Sequence, residues 1–194
     1  MQIIDISRPL PYAPKYPTAP ETTITQVSFI AKGAESNFTV LSTNTHAGTH
    51  VDAKKHFVDG AQGIGEMDLA MYYGPVRVIT FPENAMLSRS DFEGRIDDIP
   101  RVAIHGGGNT FLLPSAAEYL VGKGIRCIVT DGMSPAPLGN EKQIHCCLLY
   151  NDVGIVENVV LSDVADGDYT LVAFPANYGS LDGAPARVVL LRED

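Results

Sequence analysis

The chain has 194 residues, 45 % of them hydrophobic and 19 % charged, with a formal net charge of −9. That length is most simply one domain, residues 1–194, able to bury roughly 70 % of its unfolded-chain surface. The acidic balance excludes nucleic-acid binding as an expected role, because phosphate neutralisation needs a basic surface. No apolar run approaches the ~20 residues of a membrane span, and residues 1–20 lack the basic and apolar regions of a secretory signal. Cys127, Cys146 and Cys147 offer no disulfide framework and no C-x-x-C pair, and read as small buried hydrophobes in a reducing compartment. A cytoplasmic protein with no nucleic-acid or membrane partner is expected.

In chain order, strand-like runs rich in β-branched and aromatic residues cover Ile3 to Ile6, Thr22 to Ile30, Phe38 to Thr43, Val76 to Phe81, Arg101 to Ile104, Ile125 to Thr130, Thr170 to Phe174 and Arg187 to Leu191. Between them, Glu83 to Pro100 is polar and acidic and reads as a solvated connection with a short helix. Two helices are predicted. The first starts at Pro114-Ser115 and ends near Gly122 or Gly124, with Pro early and Gly late. The second spans Glu141 to Tyr150 and leads to a short strand at Ile155-Val156 that ends on Glu157. Strands dominate the first third and alternate with helices later, which predicts an α/β domain with a mixed sheet system.

Chemistry concentrates between residues 46 and 56, where three of the five histidines fall: His46, His50 and His56, with Asp52 among them. Imidazole nitrogens and a carboxylate suit a borderline divalent cation, zinc or manganese. Three protein ligands, His46, His50 and Asp52, leave coordination positions free, as catalytic rather than structural sites do. The helical zinc-protease pattern is excluded, since no Glu follows the first His. Thr45, Gly48, Thr49 and Val51 predict extended or turning backbone instead, and in an extended segment His46, His50 and Asp52 share one face. His56 is close enough to act on a coordinated water without binding the ion. Downstream, His145 on the second helix and Glu157 at a strand end are a further pair that a helix-then-strand unit can bring together.

The stretch His46-Ala47-Gly48-Thr49-His50-Val51-Asp52 with His56-Phe57 resembles the H-x-G-T-H-x-D-x-P-x-H-F signature of the cyclase family, which includes bacterial kynurenine formamidases and isatin hydrolases. The resemblance spans nearly the whole chain. Its other motifs are Ile4-Asp5-Ile6-Ser7-Arg8-Pro9-Leu10, Ala117-Glu118-Tyr119-Leu120 through Asp131 and Ser134, His145-Cys146-Cys147-Leu148-Leu149 with Glu157-Asn158, and Leu181-Asp182-Gly183-Ala184-Pro185-Ala186-Arg187. It implies a swivelling β/β/α domain assembled as homodimers or homotetramers. It implies a first ion on His46, His50 and Asp52, a second on His145 and Glu157 with Asp52 bridging, and His56 as acid/base. The chain departs from the pattern at Lys54, which replaces the usual Pro, and at Tyr16-Pro17-Thr18-Ala19, which replaces an aromatic–Pro–Gly–Asp element. Tyr16 and Lys54 are accordingly candidate substrate contacts, with Lys54 or Lys55 a candidate for recognising a substrate carboxylate, and so is His105, in the run Arg101 to Gly108 that replaces the family's usual run ending in Thr-Gly.

The expected activity is hydrolysis of an amide C–N bond by metal-activated water, of the arylformamidase type acting on a small molecule. An isatin, cyclic-imide or lactone hydrolase is the alternative within enzymes, and a catalytically silent metal-binding module the alternative outside them.

Overall fold

The β-branched runs fold into thirteen strands in the computed structural model, which describes residues 1–193. They are β1 (Gln2–Asp5), β2 (Thr23–Ser28), β3 (Phe38–Ser42), β4 (His50–Asp52), β5 (Tyr73–Thr80), β6 (Met86–Leu87), β7 (Arg101–His105), β8 (Phe111–Leu112), β9 (Cys127–Thr130), β10 (Gly154–Glu157), β11 (Gly167–Val172), β12 (Gly183–Pro185) and β13 (Val189–Arg192). Helix α1 (Pro114–Gly122) precedes β9 and helix α2 (Lys142–Tyr150) precedes β10. Pro114 opens α1, and Gly124 at φ +76° turns the chain back toward β9, a conformation that costs glycine no Cβ clash.

Nine strands form one mixed sheet in the order β1-β13-β11-β5-β7-β9-β10-β4-β12. Its centre, β5-β7-β9-β10, is parallel, and the flanks on both sides are antiparallel. Alternation sorts the side chains into two cores. Ala103, Cys127, Val129, Val156 and Val51 point to one face, where they meet Met71, Tyr72, Leu171 and Leu190. Val102, Ile104, Ile128 and Ile155 point to the other, against Leu120 of α1 and Ile144, Leu148 and Leu149 of α2.

The mixed α/β architecture with few helices agrees with the sequence reading, and the elements differ from it in three places. Residues 83–100 are more than a solvated connection: β6 pairs in parallel with β8, and Leu87, Phe92, Ile96 and Ile99 are buried in the helix-side core. Strand β12 was not anticipated, because Gly-Ala-Pro carries little strand propensity. Strands β2 and β3 form a separate ribbon that leaves Ile24, Val27, Phe38, Val40 and Leu41 exposed. Among the described residues, no helix is long and apolar enough to cross a membrane.

Candidate metal centre

Register decides where the chemistry converges. Within β4, Val51 turns into one core, so His50 and Asp52 must face the other side, where α2 lies. On β10, Glu157 shares parity with Ile155 and faces the same way. Glu157 pairs with His50 across the antiparallel ladder and Ile155 pairs with Asp52, so the two acidic side chains and His50 emerge as same-face neighbours. Helix α2 then lowers His145 onto them: its Nε2 is 3.1 Å from Glu157 Oε1 and 3.4 Å from Asp52 Oδ2. His50, Asp52, His145 and Glu157 are all buried.

His46 arrives by a different route from the one its spacing predicts. It lies in a turn rather than an extended segment, with Gly48 at φ +69° reversing the chain before β4 begins. The turn, pinned where the Asn44 side chain accepts from the His46 backbone N–H at 3.0 Å, brings the ring edge-on to His50 with centroids 5.0 Å apart. His46 Nδ1 is 2.9 Å from Asp52 Oδ1. His56 lies beyond the strand, in the 3-10 turn Lys54–His56, so the register is broken and its ring stacks beside His46 at 3.9 Å.

Asp52 is divided between two groups of imidazoles. Its Oδ1 faces His46 Nδ1 and His50 Nε2, the latter at 3.4 Å, while Oδ2 faces His145 Nε2. The rings are oriented for this by bonds on their far sides: the His50 Nδ1 position meets Gly48 O at 2.9 Å, and the His145 Nδ1 position meets Glu141 O at 2.9 Å. Each of those nitrogens is the donor, since a carbonyl only accepts. The opposite nitrogens aim at the carboxylates. Among the described residues, buried His50 Nε2 and Asp52 Oδ2 meet no partner in hydrogen-bonding geometry, although Glu157 Oε2 lies 3.2 Å from His50 Nε2, a costly arrangement unless another group satisfies them. One ligand atom each from His50, Asp52 and Glu157, and from His46, Asp52 and His56, lies within 4.8 Å of the others in its set. A nitrogen-and-carboxylate donor set with orphaned atoms at its centre fits a borderline divalent cation.

Electrostatics follow the geometry. Burial pulls the His50 and His145 imidazoles down, but the carboxylates of Asp52 and Glu157 outweigh it and raise both to about 10. Asp52 feels burial upward, yet His145, His46 and His50 hold it well below the ordinary carboxylate range. His56 shifts the other way, because burial lowers it and its carboxylates are farther off.

A cavity of about 430 Å³ opens onto the cluster, walled by Pro14, Tyr16, Phe57, Met133, Ser134 and Glu141 with His46, His50, His56, His145 and Glu157. Tyr16 lies on this wall, its hydroxyl donating to Glu141 Oε1 at 2.8 Å across the rim. Lys54 and His105 are not wall residues. The Lys54 ammonium reaches outward to Asp152, and Lys55 donates to Ser180 O. His105 sits at the end of β7 beside Thr80 and Asp131. Lys54 follows β4 with its 3-10 turn already started, which swings it away from the mouth. The walls contribute no Lys or Arg, so recognition of a substrate carboxylate by Lys54 has no support. Asp182 and Glu141 were missed as site residues. Asp182 stood in the closing motif, but nothing in its spacing ties residue 182 to residue 46.

A family model described as "Putative cyclase" matches residues 4–137. Kynurenine formamidases of Bacillus cereus and Bacillus anthracis are 35 % identical, each match covering 77 % of this chain and 78 % of the relative. A solved structure of a potential metal-dependent hydrolase with cyclase activity superposes with TM-score 0.84 at 26 % identity, covering 100 % of this chain and 99 % of that one. An isatin hydrolase bound to the product analogue thioisatinate superposes at 0.85 with 18 % identity, over 100 % of this chain and 93 % of the other, which shows a shared fold.

Proposed function

The chain belongs to the cyclase family, and on that premise we propose that it is a metal-dependent hydrolase cleaving the amide C–N bond of an aryl formamide. Its kynurenine formamidase relatives support this reaction class. The single observation that carries the reading is the division of Asp52: one oxygen faces His46 and His50, the other His145. His46, His50 and Asp52 would hold one divalent ion, zinc or manganese, and Asp52, His145 and Glu157 would hold a second. Such an ion supplies Lewis acidity and lowers the pKa of coordinated water from 15.7 toward ~7.

The protein's own groups do the rest. His56 is the proton carrier. Burial keeps its imidazole low and therefore neutral at pH 7, so it can take a proton from the attacking water and deliver it to the departing nitrogen. Water and the aryl formamide become formate and an arylamine: a C–O bond forms as the C–N bond breaks, and a proton leaves the water oxygen and ends on the departing nitrogen. Tyr16, Phe57, Met133 and Pro14 offer an apolar and aromatic wall of a size that suits a single-ring substrate. Exposed apolar residues on the β2–β3 ribbon support assembly as a homodimer or homotetramer, since a two-stranded ribbon is marginal by itself. We assign the enzyme to the cytoplasm and treat residues 1–194 as its catalytic domain.

The test is metal analysis of protein purified without added metal, followed by formate release from an aryl formamide, with isatin and a simple lactone as comparison substrates. Chelation should abolish formate release and zinc or manganese should restore it. Failure of fully loaded protein to release formate would overturn the assignment.

A further inference from the structure

Three histidines present one nitrogen to the carboxylate cluster and anchor the other. For His50 and His145 the anchor is a backbone carbonyl supplied by the same local segment. For His46 it is not. His46 Nε2 lies 3.1 Å from Asp182 Oδ2, a carboxylate 136 residues away in sequence. The anchor of His46 comes from the residue just before β12, the strand at the sheet edge.

That carboxylate is itself held firmly. Thr45 Oγ1 donates to Asp182 Oδ1 at 2.9 Å, and the Ala53 backbone N–H donates to Asp182 O at 3.0 Å. The next residue, Gly183, pairs with Asp52 across β12 and β4. A Cβ there would come within 2.8 Å of His46 Cε1 and 2.9 Å of Val51 O, so the strand lies tight against the His46 ring with no room for a side chain. The close approach of β12 and the placement of Asp182 are one device. Asp182 also lies 3.8 Å from His56 Nδ1, beyond hydrogen-bond reach.

We propose that Asp182 is a positioning residue which takes the His46 Nε2 proton as a hydrogen bond, fixing the tautomer and ring angle that leave Nδ1 bare toward Asp52. The inference rests on the metal reading above. A carboxylate acceptor makes a ligating imidazole more basic than a carbonyl does, and loss of such a partner typically costs 10–100-fold in metal affinity. Asp182 therefore sets how tightly the His46 ion is held, without touching ion or substrate.

The experiment is chelator competition with zinc on the full-length wild type, Asp182→Asn and Thr45→Val, with thermal melts of the metal-free proteins and turnover at saturating zinc. Asp182→Asn should weaken the zinc site that includes His46 about 10–100-fold, with turnover recovered in excess zinc. Thr45→Val, which frees the carboxylate but keeps it, should weaken binding less and gives the same readout if the Asn variant does not fold. Unchanged zinc affinity in both variants overturns the inference, whether or not the melts shift. So does turnover that stays low at saturating zinc with affinity intact, which would assign Asp182 to His56 instead. A wild type that binds no zinc or manganese would sink the metal reading itself, a separate result.

Discussion

His56→Ala tests the division of labour at the centre. The ring is half-buried, lies 3.8 Å from Asp182 and so beyond hydrogen-bond reach, and packs against His46 and Phe57 with centroids at 3.9 and 4.4 Å. Truncating a partly exposed side chain of that kind costs about 1 kcal/mol of stability or less. The nitrogens assigned to the ions do not depend on it, since His50 and His145 are anchored by carbonyls on other segments. General acid–base transfer contributes typically about 10²–10⁴-fold, so the variant should lose at least ~2.7 kcal/mol of transition-state stabilisation. The assay pairs kcat for formate release with metal content by elemental analysis of the same sample. Loss of turnover with the metal retained is expected. Loss of one equivalent of metal in parallel with turnover would refute the reasoning and make His56 a ligand beside His46 and Asp52, a set whose donor atoms also cluster within 4.8 Å.

Metal loading should release protons. In the metal-free protein His50 and His145 sit at about 10, above the ordinary 6.5, because Asp52 and Glu157 outweigh burial; their contribution to stability is full below 6.5 and lost as pH rises through 10. A cation must displace those protons, so apparent affinity should climb between pH 6.5 and 10, and calorimetry at pH 7 in two buffers should show more than one proton released per chain; a buffer-independent heat would contradict this. Gly183→Ala should disturb the His46 ring, because its new methyl meets both that ring and the Val51 carbonyl; zinc affinity should fall more than the melting temperature does. Lys54→Ala should leave KM within about twofold, as for a surface substitution outside the cavity; a KM rise of tenfold would put Lys54 back at the mouth. Arg101→Ala should cost on the order of 3 kcal/mol in urea unfolding, because the buried guanidinium donates to Met71 O, Ala70 O and Pro75 O and its loss strands all three.

The sequence by itself determined the local facts. Alternating β-branched runs marked most strands of the large sheet, Pro114 and Gly124 bracketed α1, and the 46–56 cluster supplied candidate donors, because residue type and short-range spacing are properties of the chain before it folds. Only the tertiary structure decided which of those donors meet. Ladder register set Glu157 beside His50, the packing of α2 set His145 over Asp52, and a Gly48 turn rather than a shared strand face delivered His46. Asp182 and Glu141 belong to this second kind, as does the outward path of Lys54, since each depends on contacts between residues far apart in sequence. A side chain's chemistry is local, but its neighbours are fixed by strand pairing and helix packing summed over the whole sheet, and no window of sequence contains that sum.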